Sequence, residues 1–99
     1  MHIDADLGLI TEHEGDGCRL IRPIGFTVTW ENGHFIAENA TLGHFGEGAT
    51  VDEAVRDMLH SLCVVFSDYN DTPDEMLDEG VRELLRKHTL FFQKVQSCT

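Results

Sequence analysis

Positive charge is scarce in this sequence. Seven Lys and Arg stand against 18 Asp and Glu in 99 residues, giving a formal net charge of −11. Such a surface repels phosphate, which argues against unaided nucleic-acid binding. It suits a basic protein partner, or solubility alone. Long hydrophobic runs are missing too. None approaches the ~20 residues that cross a bilayer. The acidic start MHIDADLGLI lacks the basic region and apolar stretch of a signal peptide. The expectation is a cytoplasmic protein with no membrane association. Cysteine occurs only at Cys18, Cys63 and Cys98. These are too few and too scattered for a disulfide framework, and an odd count leaves at least one thiol unpaired, as suits a reducing compartment. Cys63 falls in an apolar helical stretch and reads as a small core residue. Cys98 reads as an exposed residue near the end.

The hydrophobic content of 41% fits one small domain, residues 1–99, with one core. The expected class is α+β: an antiparallel sheet of three to five strands over 7–45, then helices over 51–69 and 74–95 packed on one face. LGLIT, residues 7–11, reads as a first strand, followed by the turn HEGDG. Pro23 cannot donate to a ladder and belongs at a strand start or edge. FTVTWENGHFIAEN alternates with a period of two around Asn32-Gly33, the strongest short hairpin signal. A third strand is expected around 42–45, with Gly43, Gly46 and Gly48 bending the chain out of the sheet. Val51, Ala54, Val55, Met58, Leu62, Val65 and Phe66 recur at helical spacing. Leu77, Val81, Leu84, His88, Phe91 and Val95 form a heptad-like seam in the second helix.

Thr-x-Asp-Glu occurs twice, at 50–53 and 72–75. Each reads as a capping box, the threonine oxygen accepting from the third helical N–H. Pro73 fits the first helical position, and Asp52 and Asp74 fit the positive end of the dipole. Asp68, Asn70, Thr72 and Glu79 mimic calcium-loop spacing, but Pro73 stands where that loop needs glycine. The three glycines before the first helix lack a nearby cation for phosphate. His60 and Cys63 share a helix face, and His34 and His44 lie on neighbouring strands, so zinc chemistry has candidate ligands without a full set. His88 reads as a core or interface histidine. No nucleophile elbow occurs. The expectation is no catalytic residue, no metal site and no cofactor.

The hairpin, the strand ATLGHFGEG and the helix start ATVDEAV together resemble HicB-like antitoxins. In that family a strand ending in A-x-x-P-x-L leads through G-x-G-x-T into an x-E-A helix. Phe35, Ala37, Leu42, Gly46, Gly48, Thr50, Glu53 and Ala54 stand in matching places, over residues 26–66. Ala40 replaces the family proline, and a second helix stands where members often carry a DNA-binding module. The resemblance implies a truncated ribonuclease-H-like core without its catalytic carboxylates. It also implies a non-enzymatic protein that neutralises a small basic RNA-cleaving toxin by binding it. Glu31, Glu38, Glu47 and Asp57 are the expected partner-binding acids. A homodimer is expected, through a sheet edge or through Phe91 and Phe92. The alternatives are an acidic inhibitor that mimics nucleic acid, such as a viral anti-defence protein, and an enzyme with metal on His34, His44 or His60.

Overall fold

Asn32 and Gly33 both adopt positive φ, 51° and 84°, as a type I′ hairpin turn requires. They join two of the strands in the computed structural model, which describes residues 2–4, 8–15 and 17–95. The chain is α+β. Its elements are β1 (His2–Asp4), β2 (Leu9–Glu12), β3 (Glu14–Gly15), β4 (Cys18–Leu20), β5 (Ile24–Gly25), β6 (Thr27–Glu31), β7 (His34–Asn39) and β8 (His44–Gly48). Then follow α1 (Val51–Asn70), a 3-10 turn (Asp74–Met76), α2 (Glu79–Thr89) and β9 (Phe92–Lys94). Leu7 and Cys98, which carried expectations, lie outside the described residues.

One sheet over 7–45 was expected. Among the described residues the strands instead form three antiparallel sheets, ordered β1-β2-β5, β3-β4-β9 and β6-β7-β8. The break comes where the chain changes partner between β5 and β6. Pro23, without an N–H, stands just before β5. The Phe26 N–H then turns to the Gly8 carbonyl at 2.8 Å, and β6 continues against β7. Buried Asn39 fastens the junction. Its Nδ2 donates to the Gly25 carbonyl at 2.7 Å and its Oδ1 accepts from Leu42 N–H at 2.7 Å.

The third strand starts later and runs longer than 42–45. Leu42 is buried in the preceding turn, where Gly43 takes φ 71°. Gly46 and Gly48 do not bend the chain out of the sheet. They sit within β8, directly under α1. A Cβ at Gly46 would lie 2.8 Å from the Asp57 carbonyl carbon, and one at Gly48 would lie 2.6 Å from the Ala54 nitrogen. Their lack of a side chain lets helix backbone lie on strand backbone.

The first capping box forms: Thr50 Oγ1 accepts the Glu53 N–H at 3.1 Å. Glu53 Oε2 reaches one residue further back than expected, to the Ala49 N–H at 2.8 Å. The second box does not form. Thr72 Oγ1 donates to the Asp68 carbonyl at 2.7 Å and so serves the end of α1. Pro73 has ψ 138°, and Leu77 is extended and buried. The second helix therefore starts at Glu79, capped by Asp78 Oδ1, which accepts the Val81 N–H at 2.8 Å. It ends at Thr89 rather than near 95. The following residues include Phe91, Phe92 and Val95, good strand formers, and β9 pairs with β4, setting Leu20 opposite Phe92.

Cys18 of β4 and Cys63 of α1 are disulfide-bonded, with Cα atoms 5.7 Å apart. This corrects the expectation that the cysteines are too scattered to pair, while Cys63 is, as expected, a core residue. Strand and helix converge across 45 residues of chain, a proximity that sequence spacing does not show. Both cysteines are fully buried, among Ile10, Met58, Leu62 and Phe92.

Candidate functional site

Helix α1 packs on β8 and β7. Side chains alternate between the two faces of a strand, and directly paired residues share a face. The registers Val28–Ala37–Gly46 and Phe35–Gly48 therefore form the face under the helix. The opposite face carries Thr27–Glu38–Phe45, Thr29–Ile36–Glu47 and Glu31–His34. Thr27, Thr29, Glu31, Glu38 and Glu47 are exposed there, and Ile36 is half-buried. Phe45 is 59% exposed, a large aromatic left in water.

Three of the four acids expected to bind a partner, Glu31, Glu38 and Glu47, thus fall on one open face. The fourth does not join them. Asp57 sits on α1 at the rim of β8, where its Oδ2 accepts the Glu47 N–H at 3.0 Å. Glu53 takes the Ala49 N–H beside it. Two carboxylates from the helix thereby occupy backbone donors at the end and rim of β8. This is one way in which sheets block pairing with another chain. Glu47 also faces His34, with Nε2 to Oε2 3.6 Å. The alternation of His34, Ile36 and Glu38 with Phe35 and Ala37 was readable in the sequence, but Phe45 was missed as a member of this face. Extending the period-two alternation through β8 reveals it.

The expected dimer contact at Phe91 and Phe92 needs correction. Phe92 is 2% exposed, is held in β9 and packs near Phe66 with ring centres 6.3 Å apart. Phe91 is half-buried against the same core. These aromatics are used within the chain because β9 returns to β4.

The histidines weighed as zinc ligands are not brought together. The register places Asn39, not His34, opposite His44. His34 is at the other end of β7, about 17 Å along the strand. His60 is exposed on α1. The ring near His44 is instead that of His88, 5.5 Å between centres and 89° between planes. His88 is fully buried, as its place on the helical seam suggested. Burial lowers the pKa of His44, and repulsion from His88 adds to this. Burial also lowers that of His88, opposed by its bond to the Leu84 carbonyl. No group of three or more His, Cys, Asp or Glu able to hold a metal occurs among the described residues.

The calcium-like loop is also put to structural use. Asp68 lies within α1, Thr72 bonds to its carbonyl, and Asp71 pairs with Lys94. A concavity of about 420 Å³ lies elsewhere, beside β2 and β4, lined by Glu12, His13, Glu14, Arg19 and Leu20. Among the described residues no helix is long and apolar enough to cross a membrane. Compared with known proteins, the chain matches no family model, no curated protein and no solved structure.

Proposed function

We propose that this chain is a non-enzymatic binding protein, similar to a HicB-like antitoxin, that neutralises a small basic toxin by direct contact. The observation that carries this reading is the helix-free face of the β6-β7-β8 sheet. It combines apolar Phe45 and Ile36 with Glu31, Glu38 and Glu47. Carboxylates around an apolar centre fit a cationic partner. The charges speed and orient encounter, and the aromatic supplies area that leaves water on docking. The net charge of −11 extends the attraction beyond the contact, weakening as salt rises.

A nucleic-acid mimic has less support. Such a mimic needs free acids in phosphate-like rows. Here Asp52, Asp74, Glu83 and Asp71 are paired with Arg56, Arg82, Arg86 and Lys94.

The test is purification from the native host at low salt, followed by a ribonuclease assay on any basic protein that co-purifies. The expected result is inhibition of that protein by the chain, lost in the double variant Glu38→Lys, Phe45→Ser. Full inhibition by the double variant, or no basic partner at all, overturns the proposal.

A further inference from the structure

The open sheet face makes no use of α2, and a different chemistry is set between α2 and β8. The ring Nδ1 of buried His88 is 2.8 Å from the Leu84 carbonyl oxygen. A carbonyl only accepts, so Nδ1 carries the hydrogen. In the neutral ring Nε2 then keeps its lone pair. That Nε2 is buried and has no hydrogen-bond partner among the described residues. Buried polar atoms are almost always satisfied, so an orphaned acceptor here invites a ligand.

The surroundings fit a metal ion better than a second protein donor. Histidines that bind metals commonly donate their other ring N–H to a carbonyl, which fixes tautomer and orientation. His88 does so through Leu84. Asn39, opposite His44 in the ladder, is no substitute, because its side chain is committed to Gly25 and Leu42. Two imidazoles on one tetrahedral ion, each nitrogen about 2.0–2.1 Å away, hold their ring centres about 5 Å apart. The His44 and His88 centres are 5.5 Å apart. His44 is only half-buried, which gives an ion a route to the buried ring.

We propose that His44 and His88 form a two-histidine site for a divalent transition ion of the zinc class. The two imidazoles hold the ion, and water or a ligand from another molecule completes its shell. The site ties β8 to α2, two elements separated by α1 in the chain. It is independent of the partner-binding reading, since it lies on the helix side of the sheet.

The experiment titrates the metal-free full chain with zinc by calorimetry and with cobalt by absorbance. Long-range proton–nitrogen spectra of the imidazoles are recorded alongside. One equivalent of zinc should bind, and the nitrogen signals of His88 and His44 should shift. His44→Ala should weaken binding at least about tenfold, the scale already seen for lost supporting groups around metals. His34→Ala and His60→Ala should bind as the parent does. If His88→Ala does not fold, the His88 nitrogen shift in the parent chain carries that half of the test. Absence of saturable binding, unchanged affinity in His44→Ala, or shifts confined to other histidines overturns the proposal.

Discussion

The carboxylate of Asp57 closes the rim of β8 by accepting the Glu47 N–H at 3.0 Å. The bond costs little entropy to hold, because α1 already lies on the strand. Asp57→Ala removes the acceptor and leaves the N–H to water. The expected loss is about 0.5–1.5 kcal/mol, read from urea unfolding followed by circular dichroism. Light scattering should also show more self-association, because an uncovered edge templates strand pairing. A variant as stable and as monodisperse as the parent rules out this role.

Gly46 is more constrained than any cap. Its missing Cβ leaves the room that α1 backbone fills. Gly46→Ala must push the helix off the strand, and overpacking of this kind costs about 1–3 kcal/mol. Gly33→Ala is the contrast. Nothing lies within 4 Å of its Cβ position, so only the positive φ resists, and the cost should be smaller. Melting temperatures of the two variants, measured side by side, check the order.

The Cys18–Cys63 bond closes a loop of 45 residues. On the chain-entropy account such a loop stabilises by about 4 kcal/mol. Reduction should therefore lower the melting temperature sharply. Alkylation of the unfolded, unreduced protein should label one thiol, and labelling after reduction should reach three. Three labels without reduction rule out the bond.

His44 and His88 have lowered pKa values, caused first by burial. A lowered histidine pKa means that the unfolded chain binds protons more readily. Stability from these groups is then complete above about pH 6.5 and declines as pH falls below it, levelling once both folded rings are protonated. Urea midpoints of metal-free protein at pH 7.5 and pH 5 should differ more for the parent than for His44→Phe. Equal differences would mean that other groups set the acid response.

Local signals were legible where the answer is local. Asn32-Gly33 with alternating neighbours announced the β6–β7 hairpin, and Thr50 with Glu53 announced α1. The same grammar at Thr72 and Glu75 misled. Pro73 stays extended, and Leu77 enters the core before a helix begins. Tertiary burial overrode the local cap there. β9 was invisible because its partner strand is far upstream. Without that partner, Phe91 and Phe92 read as the continuation of an apolar helix stripe. For the candidate site, exposed acids on alternating strands were readable, and their shared face followed from register. The His44–His88 proximity was not, since it depends on how α2 lies against β8.

The pairing of β4 with β9 also sets an order of events. Arg19 donates to Gln93 across 74 residues of chain, and Leu20 lies opposite Phe92. During synthesis the β3–β4 hairpin therefore precedes its third strand by most of the molecule. Until residues 92–94 arrive, one side of β4 is an unpaired edge. Long-range pairing of this kind slows folding and leaves such edges open to other chains. The hairpin β6–β7, β8 and α1 are contiguous in sequence and can assemble first. The last step is then the capture of a short strand, so aggregation in this protein should begin at the open edge of the β3–β4 hairpin and not at β9.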